Sequence, residues 1–290
     1  MKTQYLGSLI GALAMAASMS AQTINNGQEV AGLFQMDITI PGAAGPGWFL
    51  QQTGVLPTLP AAWVTIAGPF GPGPTFSFLD VGSGAAPQRY YRLVNLVPPV
   101  VPADCGVNRY GFIRRTVTPG FCMYGDPLAA DLGNGLPNLM PVMPYLTEFF
   151  QYSGGWNYDI QDIFWPGWDF GTATLNPGQG CFINNPGPAT PVTFIGQVQE
   201  GALVVPLAAG FNMVSSMVPQ AGLLTTDLGY TPAALDVVYR FVCGSGFTVH
   251  TFDPDLGGWD PSEPFIGVAE SFWILRNAPG AWVRIFNACP

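Results

Sequence analysis

The chain has 290 residues, of which 48% are hydrophobic, 13% aromatic and only 9% charged. Its 37 glycines and 29 prolines approach a low-complexity composition, yet the aromatic content supplies the apolar area that ordering needs; this excludes a disordered chain and points to a folded, turn-rich one. With 9 basic against 18 acidic side chains and no basic cluster larger than Arg114-Arg115, the net charge of −9 excludes nucleic-acid binding and disfavours anionic membrane surfaces.

Residues 1–21 are expected to form a secretory signal peptide. Lys2 gives the positive start, Leu6 to Ala17 the apolar stretch, and Ser18-Met19-Ser20-Ala21 the small-residue cleavage zone. The mature protein is then secreted or held at the cell surface. No later stretch reads as a membrane span, because the most apolar one, Ala202 to Val218, carries Pro206, Gly210 and Asn212.

Residues 22–35 read as a short polar lead-in. Strands are expected at Phe34 to Ile40, Trp48 to Thr53, Trp63 to Ala67, Thr75 to Leu79 and Arg89 to Asn95, each rich in β-branched and aromatic residues and bounded by Gly/Pro clusters. Residues 22–98 thus form a small β module. Val97-Pro98-Pro99-Val100-Val101-Pro102 leads into a proline-rich linker at 99–108.

Beyond the linker the sequence repeats itself. Pro119-Gly120-Phe121-Cys122-Met123 matches Ala209-Gly210-Phe211-Asn212-Met213, and Pro166-Gly167-Trp168-Asp169 matches Gly257-Gly258-Trp259-Asp260. Gln179-Gly180-Cys181-Phe182-Ile183 matches Glu270-Ser271-Phe272-Trp273-Ile274, and Val192-Thr193-Phe194 matches Val283-Arg284-Ile285. Four blocks in one order define two units, 109–198 and 199–290, each with aromatic strands (Glu148 to Tyr152; Val237 to Val242) and a closing strand pair. Short helical turns are expected after Pro127 and Pro219. The fold class is all-β: a small sandwich-like N-terminal module followed by two pseudo-symmetric β-repeat units packed together around a shared core.

Two stretches resemble known families. Gly47-Trp48-Phe49-Leu50-Gln51-Gln52-Thr53 with Trp63, Asp80 and Gln88-Arg89-Tyr90-Tyr91-Arg92-Leu93 resembles part of a fibronectin type III-like domain of secreted bacterial proteins, with the N-terminal strand pair missing or very short. Residues 109–290 are similar to a tandem module of secreted bacterial proteins. Its units carry a "GFNLI" strand, a Gly-Trp loop and a "PGEGFFV" strand; here these are Gly120-Phe121-Cys122-Met123-Tyr124 with Pro177-Gly178-Gln179-Gly180-Cys181-Phe182-Ile183, and Gly210-Phe211-Asn212-Met213-Val214 with Ala269-Glu270-Ser271-Phe272-Trp273. That resemblance implies an extracellular β module without a defined activity.

Candidate chemistry is sparse. Cys105, Cys122, Cys181, Cys243 and Cys289 allow at most two disulfides, with 15 connectivities open (five choices of odd cysteine, three pairings each). Pairing Cys105 with Cys289 would staple the ends of the repeat region. His250 is the only histidine, so every Ser-His-Asp or Cys-His arrangement depends on it; Cys243-Gly244-Ser245-Gly246 lies nearby but reads equally as a hairpin. Asp253, Asp255, Asp260 and Glu263 concentrate carboxylates as a Ca²⁺ site needs, although Gly257 and Glu263 break EF-hand spacing; the other reading is an acidic turn. Glu148, Asp169, Asp260 and Glu270 are the carboxylates to inspect for glycosidase chemistry. Trp156, Trp168 and Trp259 are candidate glycan-stacking residues, weighed against core packing.

The expected function is a secreted or cell-surface, nonenzymatic protein with a structural or adhesive role. An extracellular carbohydrate-binding module using exposed tryptophans is the alternative, and a glycan-active hydrolase ranks third. Polysaccharide or other surface proteins are the expected partners, and no cofactor is implied beyond the candidate Ca²⁺.

Overall fold

The computed structural model describes residues 22–41, 47–56, 62–96, 104–164 and 167–288. The expected signal peptide at 1–21, Trp165, Cys289 and the proline-rich stretch 97–102 lie outside the described residues. No helix among the described residues is long and apolar enough to cross a membrane.

The chain opens with β1 (Thr23–Val30) and β2 (Leu33–Ile40), joined by Ala31-Gly32, both at positive φ (51° and 78°) as a two-residue hairpin turn requires. Then come β3 (Trp48–Thr53), β4 (Val64–Phe70), β5 (Gly73–Asp80), β6 (Gln88–Asn95), β7 (Asp104–Cys105) and β8 (Tyr110–Val117). A three-stranded sheet, β1-β2-β5, faces the run β4-β3-β6-β8. In β2 strict alternation sends Phe34, Met36, Ile38 and Ile40 inward, where they meet Trp48, Leu50, Tyr91, Leu93 and Phe112 of the other sheet. The N-terminal module is therefore a full two-sheet sandwich, and the expectation of a missing first strand pair is corrected.

The polar lead-in is itself strand β1. Of its side chains only Ile24 is fully buried, and polar bonds hold the rest: Ile24 exchanges hydrogen bonds with the Asn108 amide (3.0 and 2.6 Å), and Glu29 pairs with Arg114. The linker also contracts, since Asp104 and Cys105 pair with β6. Strand β8, assigned by sequence to the first repeat unit, bonds β6 on one edge and β14 (Thr190–Val198) on the other, so one sheet runs from the sandwich into the repeat region.

The remaining elements are β9 (Gly120–Gly125), β10 (Leu128–Ala129), α1 (Leu136–Leu139), β11 (Glu148–Tyr152), β12 (Trp156–Ile160) and β13 (Gly180–Asn185) before β14. After it come β15 (Gly201–Leu207), β16 (Gly210–Ser215), β17 (Gly222–Leu223), β18 (Val237–Val242), β19 (Gly246–Asp253), β20 (Gly258–Asp260), β21 (Phe265–Ile266), β22 (Ser271–Arg276) and β23 (Gly280–Phe286). The helical turn expected after Pro127 is α1; after Pro219 the chain forms turns at 224–228 without a helix.

Strand pairing recurs between the two units. The sheet β12-β11-β13-β9 has its counterpart in β19-β18-β22-β16, and the pair β14-β8 in β23-β15. Even strained backbone recurs: Leu146 and Leu235 take φ of 64° and 63°, and Gly178 and Ala269 take 92° and 57°. Reciprocal bonds tie the units together, Ser215 N–H to Gly178 O (3.0 Å) and Gly125 N–H to Ala269 O (3.1 Å). One core runs through both, from Tyr124, Phe149 and Ile183 to Val214, Phe272 and Trp282.

Small residues are needed where the units touch. A Cβ on Gly125 would overlap the Ser215 side chain. Gly125→Ala should therefore cost about 1–3 kcal/mol by overpacking. Adding Ser215→Gly should restore part of the loss in denaturant unfolding; strictly additive losses would mean that the two positions do not meet.

Candidate functional site

Alternation within the two repeat sheets creates a second apolar surface opposite the core. In the first, Cys122, Tyr124, Phe149, Cys181 and Ile183 point inward, whereas Phe121, Phe150, Tyr152, Trp156 and Phe182 point out. In the second, Val214, Val238, Phe272 and Ile274 point inward, and Phe211, Tyr239, Phe241, Phe247 and Trp273 point out. Met123, Met213 and Trp273 close the seam between the outer faces.

The rings obey the internal symmetry. Phe121 meets Phe150 at 6.0 Å as Phe211 meets Tyr239 at 5.9 Å. Tyr152 meets Trp273 at 5.5 Å as Phe241 meets Phe182 at 5.3 Å, and Trp156 meets Trp273 at 5.9 Å as Phe247 meets Phe182 at 6.3 Å. The outcome is twin pockets of about 450 and 510 Å³. Phe211, Tyr239, Phe247 and Trp273 with Tyr152 and Trp156 line the first; Phe121, Phe150, Trp156 and Phe182 with Phe241, Phe247 and Trp273 line the second. Each pocket takes four rings from one unit and two or three from the other, and Trp156, Phe247 and Trp273 border both.

The face stays open to solvent. Trp156 is 59% exposed, Phe211 50%, Phe247 49% and Phe121 47%. Ring pairs across it are tilted or edge-on, with interplanar angles from 36° to 89°, an arrangement that the aromatic quadrupole favours. Neither pocket lining contains a charged side chain. At the rim, Glu148 accepts from Asn184 Nδ2 (2.8 Å) and from the Tyr158 hydroxyl (3.3 Å); partial burial and this carboxylate push the Tyr158 phenol above its ordinary pKa.

The tryptophans chosen from sequence divide. Trp156 lies on the face. Trp168, only 8% exposed, packs edge-on against Phe149 and donates its indole N–H to Met140 O (2.9 Å), so it anchors the core and has no free ring face for a sugar. Trp259 is half-buried against Phe252 and donates to Thr225 Oγ1 (2.9 Å). The assignment of Trp168 to glycan contact is corrected to packing, and Trp259 packs partly against the core. Of the rings that sequence reasoning missed, Phe121, Phe182 and Phe211 lie inside the repeated blocks, and their recurrence there was the available signal.

The carboxylate loop does not assemble a cation site. Asp253 caps the short 3₁₀ turn Pro254–Leu256 by accepting from Asp255 N–H (2.9 Å), and Glu263 turns away to accept from Thr225 N–H, Thr226 N–H and Thr226 Oγ1. Asp260 is exposed, and no group of three or more His, Cys, Asp or Glu among the described residues can hold a metal ion. The Ca²⁺ reading of Asp253, Asp255, Asp260 and Glu263 therefore gives way to turn chemistry.

Cys243 is joined to Cys122, which removes it as a nucleophile, and His250 Nδ1 is held against Ser262 O (2.7 Å). Cys105 is disulfide-bonded; the expected pairing with Cys289 lies outside the described residues. Cys181 is a free, fully buried thiol whose pKa burial pushes up. Three of the carboxylates singled out for hydrolysis, Glu148, Asp169 and Glu270, are engaged separately, and Asp260 is exposed. Glu270 grips Arg240 through both oxygens (2.9 and 3.1 Å) and accepts from Gly267 N–H, whereas Asp169 shares a hydrogen bond with Asp162 that holds its carboxyl above the usual range.

No protein-family model matches the chain, and neither a curated protein nor a solved structure is detectably similar to it.

Proposed function

We propose that this is an exported, nonenzymatic β protein with a structural or adhesive role, and that it adheres through the twin-pocket aromatic face. The observation that carries this reading is an open, uncharged surface of rings drawn from both units. A contiguous apolar patch of this kind costs solubility and marks an interaction surface in a monomeric soluble protein. The sandwich order β1-β2-β5 against β4-β3-β6-β8 supports a fibronectin type III-like module as its base, and the recurring strand pairing supports a tandem β-repeat carrying the face. Carbohydrate recognition is the weaker reading. A sugar platform needs ring faces in one plane flanked by hydrogen-bonding side chains, and here the rings tilt against one another with few polar groups between them.

The test compares mature protein with Trp156→Ser plus Phe247→Ser for retention on a phenyl-coated and a hydroxyl-coated surface, alongside a glycan array. Wild type should be held on the phenyl surface after rinsing and the variant about tenfold less, with unchanged circular dichroism and no saturable array signal. Equal retention of both proteins would sink the aromatic face as the adhesive surface. Array binding that the variant loses would transfer the face to carbohydrate recognition.

A further inference from the structure

Resting on that reading, we infer that the occupant of the aromatic face is a second copy of this chain, docked face to face. Three features of the face carry the inference.

The first is area. An aromatic side chain offers roughly 150–250 Å², so Phe121, Trp156, Tyr158, Phe211 and Phe247, exposed by 38% to 59%, present roughly 500 Å² between them. Two such faces in full contact bury up to about 1,000 Å², the level that a specific protein interface has to reach. The second is charge. The chain carries a net −9, and two copies repel wherever carboxylates face each other; the pocket linings contain none, and Glu148 at the rim is already bonded to Asn184 and Tyr158. The rings of two acidic copies can thus meet with no carboxylate in either pocket lining and with Glu148, already hydrogen-bonded, at the edge of the contact.

The third is shape. A two-fold contact uses the same patch on both partners, so a patch that mates with itself must carry both ridges and hollows. Trp156 and Phe247 are equivalent ridges, one from each unit, and each stands beside both pockets. Both pockets are too open to enclose a small ligand, which ordinarily loses most of its surface to its site. A broad, corrugated partner fits them better, and this chain supplies one.

The test is sedimentation equilibrium of the mature protein across the micromolar range at low and high salt. Wild type should pass from monomer to dimer. Added salt should tighten the dimer, because it screens the repulsion between acidic bodies and leaves the apolar contact intact. Trp156→Ser and Phe247→Ser should each weaken the dimer by about tenfold or more with unchanged circular dichroism and denaturation midpoint. Ile285→Ser, at an 85% exposed apolar position outside the pocket linings, should leave it unaltered. A dimer that ignores both face variants overturns the inference, as does a wild type that stays monomeric throughout. If that monomer is still held on the phenyl surface through Trp156 and Phe247, the adhesive reading stands with a foreign apolar partner; if it is not held, both readings fail.

Discussion

Replacing Cys122 and Cys243 together by alanine should lower the unfolding free energy by about 4–5 kcal/mol, the loop-entropy value for a crosslink that closes a loop of this length. The bridge spans 121 residues, with Cα atoms 5.1 Å apart, and joins β9 of the first unit to the β18–β19 turn of the second. Most of its effect acts on the unfolded chain, which it prevents from expanding. Denaturant unfolding should therefore show a lower midpoint together with a steeper m-value, because the uncrosslinked chain exposes more surface. Cys181, the free thiol among the described residues, is buried and protonated, and so has little capacity to attack the bridge. A loss below about 1 kcal/mol would mean that residual structure in the unfolded chain already restricts it as the bond does.

The bridge also bears on the aromatic face. Cys243 sits in the turn that carries Phe241 on one side and Phe247 on the other, and both rings pack edge-on against Phe182 of the first unit. Loosening that turn separates rings that belong to one pocket. The double-alanine protein should consequently lose retention on the phenyl surface under conditions where it is still folded. Adhesion and inter-unit stability are thus expected to fall together, since the site exists only where the two units meet.

Much of the strand pattern was legible because punctuation and alternation agreed. Trp48–Thr53, Glu148–Tyr152 and Val237–Val242 have the predicted bounds, and Phe34 to Ile40 misses one residue of β2. Strand β1 was illegible for the opposite reason: Thr23–Val30 has no apolar alternation, and although it pairs with the adjacent β2, the side chains Asn108 and Arg114 that hold it lie more than eighty residues away. The site failed on sidedness. In Gly180–Asn185 and Ser271–Arg276 both faces are apolar, one toward the core and one toward the pockets, so the period-two signal that would separate them is absent. Only pairing register reveals that Phe182 and Trp273 share the outer face, whereas Cys181 and Phe272 do not. Trp168 and Trp259 attracted attention as loop tryptophans in matching positions. Their matching reflects a repeated anchoring task, each indole N–H being satisfied within the protein.

The same dependence on distant partners governs the second large effect. Asp236, 1% exposed just before β18, accepts from Tyr230 Oη (2.5 Å), Ala233 N–H (2.8 Å) and Arg276 Nε (3.3 Å), while Arg276 is itself 8% exposed at the end of β22. Burial and the adjacent carboxylate push the Tyr230 phenol above its ordinary pKa, which keeps it a hydrogen-bond donor. Asp236→Ala removes the only carboxylate bonded to Arg276 among the described residues and strands a guanidinium away from water, at an expected cost of about 3–5 kcal/mol. Arg276→Met removes that charge and fills the space with apolar atoms; added to Asp236→Ala, it should recover part of the loss. A double-mutant cycle of unfolding free energies therefore decides what the pair contributes. Coupling of about 1–3 kcal/mol is the expected result, and strictly additive losses would show that Asp236 stabilises β18 through Tyr230 and Ala233 alone.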